Sequence, residues 1–118
     1  MKENIVKNKS LAFAIRIVKL YQFLANEKKE YVLSKQLLRS GTSVGAMIRE
    51  AEHAETKADF IHKMGIAQKE INEATYWIEL LKETDYLSKI EFESINTDAL
   101  ELIKLITIII KTTKSNLK

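Results

Sequence analysis

Leu37-Leu38-Arg39-Ser40-Gly41-Thr42-Ser43-Val44-Gly45-Ala46-Met47-Ile48-Arg49-Glu50-Ala51 is the stretch on which the fold turns. Leu37, Gly41, Val44, Ile48 and Ala51 recur at steps of four, three, four and three, which places them on one face of an α-helix. A helix-interior glycine costs roughly 1 kcal/mol relative to alanine, so two glycines amid serine and threonine are a poor recipe for an isolated helix. The cost is offset if a second backbone must come close. The spacing therefore predicts one long helix whose middle, Ser40 to Ala46, admits a partner helix. By local propensity alone, SGTSVG also reads as a loop between two shorter helices.

On either side the chain has the punctuation of long helices. It has no proline, three glycines (Gly41, Gly45 and Gly65) and no cysteine among 118 residues, of which 46% are hydrophobic. The missing cysteines exclude disulfides and thiolate chemistry. This is the length of one domain, residues 1–118, with a real but limited core that oligomerisation would help. The first ten residues, MKENIVKNKS, lack a continuous apolar run, and no stretch reaches the roughly 18 apolar residues of a membrane span. The expectation is a soluble, cytoplasmic protein with no membrane partner.

Helix one is expected from about Ser10 to Asn26. Leu11, Ala14, Ile15, Val18, Tyr21 and Ala25 form one apolar stripe, and Phe13, Ile17, Leu20 and Leu24 a second. Together they span an arc of roughly 220°, wider than the 100° or so that one core requires, which predicts a second partner surface. Asn26 to Glu30 reads as a polar turn. Helix two is expected from near Val32 to about Glu55.

Thr56-Lys57-Ala58-Asp59 has capping-box spacing and opens helix three. Phe60, Met64, Ala67, Ile71, Ala74, Ile78 and Leu81 then alternate steps of four and three, the seam of helices crossing at about 20°. Ser88-Lys89-Ile90-Glu91 supplies a second capping box, and Phe92, Ile95, Ala99, Leu102, Ile106 and Ile109 continue the pattern in helix four. The β-branched run Leu102 to Ile110 fits this seam better than a lone strand with no pairing partner. Four helices of roughly 17 to 26 residues span about 25 to 39 Å each. Short connections then dictate an all-α, up-down-up-down antiparallel four-helix bundle.

Several of these segments carry a resemblance. Arg39 to Ala46, Ile48 to Ala51, Ala58 to Lys63, Ser10 to Ala14 and Tyr76 to Leu81 resemble the four-helix-bundle proteins encoded in intervening sequences of bacterial 23S rRNA genes, a ribosomal protein-like family of uncharacterised function. The resemblance implies a bundle often assembled as a homopentamer. The family is in turn similar to the accessory proteins of diversity-generating retroelements, which are basic bundles that engage nucleic acid and a nucleic-acid enzyme, a reverse transcriptase. This chain has Met47 where the family usually has asparagine.

Chemistry in the bundle is not expected. Glu50-x-x-His53 and Asp59-x-x-His62 have the spacing of di-iron bundle ligands. At 100° per residue, however, Glu50 and His53 lie roughly opposite the Leu37 seam, and His62 lies about 200° from Phe60, so these side chains should point outward. Helix one offers no carboxylate between Ser10 and Asn26. Gly41-x-x-x-Gly45 lacks the lysine and strand context of a phosphate loop. Arg49 and His53 form an exposed i, i+4 pair, closer together than the arginine and histidine of helical HEPN-type RNases. No catalytic residue, metal ligand or cofactor is assigned.

Charge is more telling. Residues 1 to 49 hold ten basic and three acidic side chains, net +7, and the remainder nine basic and thirteen acidic, net −4. With a pI near 9.0, this marks Lys7, Lys9, Arg16, Lys19, Lys35, Arg39 and Arg49 as candidates for RNA or DNA binding through phosphate. An ordinary lysine-rich solvated surface accounts for the same residues. Gly41, Val44, Gly45, Ile48, Phe13, Ile17, Leu20 and Leu24 are candidates for close helix packing or an oligomer interface. The expected function is a non-catalytic, oligomeric helical bundle that binds nucleic acid or serves as an adaptor beside a nucleic-acid enzyme. A protein-protein scaffold with no nucleic-acid role is the alternative.

Overall fold

The computed structural model describes residues 2–116. Four helices follow one another: α1 (Lys2–Asn26), α2 (Leu33–Glu52), α3 (Lys57–Glu83) and α4 (Lys89–Ser115). They form a four-helix bundle in which α1 packs on α2, α2 on α3, α3 on α4 and α4 back on α1. Among the described residues, the diagonal pairs make no close backbone approach. The result is a rod of 50 × 21 × 20 Å.

The Ser40–Ala46 segment is helix throughout, lying within α2. Its hydroxyls explain how polar residues sit inside a helix. Ser40 donates to the Gln36 carbonyl at 3.0 Å, Thr42 to Leu38 at 2.7 Å and Ser43 to Arg39 at 2.6 Å. Each bonds one turn back along its own helix, so no hydroxyl is left unpartnered on burial.

The α3 and α4 seams fill the core. Met64, Ala67, Ile71, Ala74, Ile78 and Leu81 are buried from α3, and Ile95, Ala99, Leu102, Ile106 and Ile109 from α4. Phe60 and Phe92, at the head of each seam, are only partly buried. The Thr56 hydroxyl accepts from the Asp59 amide at 3.0 Å. Ser88 and Glu91 complete a reciprocal capping box at 2.8 and 3.1 Å.

Two expectations about element boundaries are corrected. α1 begins at Lys2, two turns ahead of Ser10. Val6 and Ser10 are buried, and they extend the Phe13–Ile17 face at helical spacing beneath an otherwise polar sequence. α2 ends at Glu52, short of Glu55, and Ala54 turns out of the helix with its amide bonded to the Ala51 carbonyl.

Candidate nucleic-acid interface and assembly face

The seven candidate cations do not converge on one face. Arg16 of α1 reaches α4, where it donates to Asp98 Oδ2 at 2.7 Å and to the Ser94 hydroxyl at 2.9 Å. Lys9 on the same edge pairs with Glu101 at 3.1 Å. Lys7 turns to the other side of α1 and pairs with Glu52 of α2 at 3.1 Å. Arg39 lies on the α2–α3 side, held by Glu70 at 3.1 and 3.2 Å and by Glu73. Lys19, Lys35 and Arg49 make no ion pair among the described residues.

The Arg39 cluster is an electrostatic unit. Glu73 also accepts from the Trp77 indole at 3.0 Å. That bond, with Arg39 beside it, holds the Glu73 carboxyl below its ordinary range, while Glu73 and Glu70 hold the Arg39 guanidinium above its own. All three are reached by solvent, so the cluster is worth little to stability. It does occupy Arg39, and a phosphate would have to displace two carboxylates to use it.

The residues singled out for close packing sit within the single chain. A Cβ at Gly41 would lie 2.9 Å from Ile17 Cγ1, and one at Gly45 would lie 3.3 Å from Ser10 Oγ. Val44, Ile48, Phe13, Ile17 and Leu24 are at most 2% exposed, and Leu20 is partly buried. Phe13, Ile17 and Leu24 therefore meet α2 and the core and have no surface left to offer a second copy. Met47 also packs partly buried against the core.

The surplus on α1 is the other stripe. Leu11, Ile15 and Val18 are 47%, 48% and 38% exposed. With Ala14, Lys19 and Gln22 they line a shallow apolar depression on the bundle surface. A second recess of about 460 Å³ lies between α1 and α4, where these helices pack most loosely. Leu20, Phe23, Leu87, Ile90 and Ile95 form its apolar wall and Arg16 and Lys19 one edge.

One polar residue has a role that its sequence context conceals. Glu30 is buried, and its carboxylate accepts from the amides of Val32, Leu33 and Ser34 at 3.0, 2.9 and 2.7 Å. It thus caps α2 from within the preceding turn, which Lys29 enters with φ 55°. Burial pushes the carboxyl up, but the three amides outweigh it and hold Glu30 below its ordinary value of 4.5. The only sequence signal was an acidic residue shortly before a helix start.

Among the described residues, no three histidine, cysteine or carboxylate side chains are placed to share a metal ion. Glu50 instead pairs with Lys63 at 3.0 Å, and His53 and His62 are exposed. No described helix is long and apolar enough to cross a membrane.

The bundle is similar to a solved structure from Bacteroides thetaiotaomicron VPI-5482, described as a protein with unknown function from the S23 ribosomal protein family. The two are 61% identical with a TM-score of 0.93, over 94% of this chain and 99% of that one. No curated protein matches the chain. The model of the family described as 23S rRNA-intervening sequence protein matches residues 2–108, and with the four-helix architecture this makes the chain a member of that family.

Proposed function

We propose that this chain is a non-catalytic, self-associating bundle that binds the phosphate backbone of structured RNA or DNA, as an adaptor beside a nucleic-acid enzyme. The observation that carries the reading is the charge imbalance, net +7 over residues 1 to 49 against −4 over the remainder. On α1, Lys9 and Arg16 fall seven residues apart and Lys19 a turn further, so one edge of the rod carries three cations. Lys19 is the one of these without a carboxylate partner among the described residues. The family description, which names a 23S rRNA intervening sequence, agrees with a nucleic-acid ligand. Homopentameric assembly, which the resemblance implies, would repeat this edge five times and turn a weak patch into a multivalent one.

Backbone binding without base readout has a definite signature. Affinity for an arbitrary structured RNA should fall steeply and log-linearly with salt. Replacing Lys19 with alanine should lower the slope by about one for each phosphate that the assembly no longer neutralises. Absence of binding at low salt overturns the reading. The scaffold alternative draws on the 460 Å³ recess, where Ile90 is 81% exposed on an apolar wall suited to a partner protein. It would show as binding insensitive to salt and lost on replacing Ile90 with a charged residue.

A further inference from the structure

The four seams of the bundle are not equally fastened. Short connections, 27–32, 53–56 and 84–88, join α1 to α2, α2 to α3 and α3 to α4. None joins α4 back to α1, so that seam is closed by side chains alone. It is also the seam where the helices pack most loosely. Two voids lie along it: the 460 Å³ recess toward Phe23 and Ile90, and a smaller one of about 90 Å³ between Phe13 of α1 and Asp98 and Glu101 of α4.

At the next two seams small residues draw the helices together. Gly41 and Gly45 of α2 receive Ile17 and Ser10 of α1. Ala67 and Ala74 of α3, both fully buried, stand three residues before and four after Glu70, on the side that Arg39 of α2 reaches. Across the α1–α4 seam, the polar contacts among the described residues are Arg16 with Ser94 and Asp98, and Lys9 with Glu101. The ion-paired side chains are 41% to 51% exposed, and pairs so well solvated hold weakly. A part of a fold with few buried apolar contacts opens locally at a lower cost than the whole chain unfolds.

We infer that the α1–α4 seam is the opening edge of the bundle: α1, held to α2, and α4, held to α3, part like covers about an α2–α3 spine, reversibly and without global unfolding. In the open form the Phe13 side of α1 and the Ile95–Leu102 side of α4 meet water, and Lys9 and Arg16 leave their carboxylates. Neither nucleic-acid binding nor self-association is required for this opening.

The test uses the absence of cysteine from the chain, which lets one introduced thiol report opening through its rate of reaction with an aromatic disulfide reagent. Ala99 is fully buried in α4, four residues after the recess-lining Ile95, and Ala74 is fully buried on the spine. Full-length Ala99→Cys and Ala74→Cys chains are compared, each with its globally unfolded fraction taken from urea titration at the same protein concentration. The Ala99→Cys thiol should react about ten-fold or more faster than its unfolded fraction allows, while the Ala74→Cys thiol keeps to the rate that its unfolded fraction sets. Adding Lys9→Gln and Arg16→Gln should speed the Ala99→Cys reaction about two- to ten-fold. Adding Thr56→Ala instead, which removes the cap of α3 beside the spine, should lower the urea midpoint and leave the Ala99→Cys rate unchanged, because the reaction passes through the open seam and not through the unfolded chain.

An Ala99→Cys rate that follows global unfolding in every variant, or an Ala74→Cys thiol that outpaces its unfolded fraction equally, would overturn the opening. An Ala99→Cys rate unmoved by loss of both cations would overturn their part in holding the seam shut. Should Ala99→Cys lose helix content by circular dichroism, Leu102→Cys, at a site 1% exposed and four residues after Asp98, provides the same comparison.

Discussion

Gly41 lies directly against Ile17: a methyl group at Gly41 would sit 2.9 Å from Cγ1 and 3.0 Å from Cγ2 of that side chain. Both carbons are close to the α1 backbone, so neither can swing away as the tip of a flexible chain could. Gly41→Ala should gain helix propensity and still lose stability, by about 1 to 3 kcal/mol, through overpacking where α1 meets α2. The effect should show as a lower urea midpoint. In the double variant with Ile17→Ala, the loss should be smaller than the sum of the two single losses, since the smaller side chain makes room for the methyl group.

Gly65 should respond in the opposite sense. It sits inside α3 with nothing within 4 Å of where a Cβ would be placed. Gly65→Ala should therefore stabilise the single chain by about 0.5 to 1 kcal/mol through helix propensity. Urea unfolding measures this, and a loss of stability would show that a methyl group does not fit beside α3.

Glu30 makes stability depend on acid. Its folded-state pKa is depressed, so its contribution is present above the unfolded value of about 4.5 and disappears as pH falls through the lower folded value. Glu30→Gln should lower stability at pH 7 by about 1 to 2 kcal/mol, the usual worth of a helix cap. The gap between variant and wild type should narrow toward pH 3. A gap that stays constant across that range would show that the carboxylate charge does not matter.

Arg39 offers a test of phosphate competition. Glu70→Gln with Glu73→Gln removes both carboxylates that hold it at partly exposed positions, and the near-isosteric amides keep the side-chain volume. If Arg39 is a phosphate contact, RNA affinity at low salt should rise several-fold and the salt slope should steepen. The loss of two negative charges contributes too, so the control is the same pair of changes with Arg39→Ala, where the gain should be smaller.

The α3 and α4 seams were legible in the sequence, but for the partly buried Phe60 and Phe92 at their heads, because each buries one stripe against one core, which is the pattern that heptad spacing encodes. α1 was legible only in sum. Its two stripes advertised more apolar surface than one core can cover, but which stripe turned inward was set by α2, whose glycines at 41 and 45 receive Ile17 and Ser10. The start of α1 was obscured because residues 2–9 are mostly charged and amide residues, with Val6 the buried position among those whose burial is described. Glu30 was unreadable for a related reason. A carboxylate in a run of charged turn residues looks solvated until the fold brings three amides to it. The cation set came from composition, and composition carries no information about which helix edge supplies a carboxylate. Arg16 and Arg39 therefore emerged on opposite sides of the rod, each already engaged.

The buried hydroxyls bear on what keeps the four rods aligned. Ser10, Ser34 and Ser40 all return their hydrogen bonds to carbonyls three or four residues earlier in the chain, so among the described residues none of them latches one helix to its neighbour. Axial alignment inside the core is then a matter of shape, a notch at Gly41 that admits one branched side chain. A variant that fills this notch would keep every buried hydrogen bond and still let α1 and α2 slide past each other.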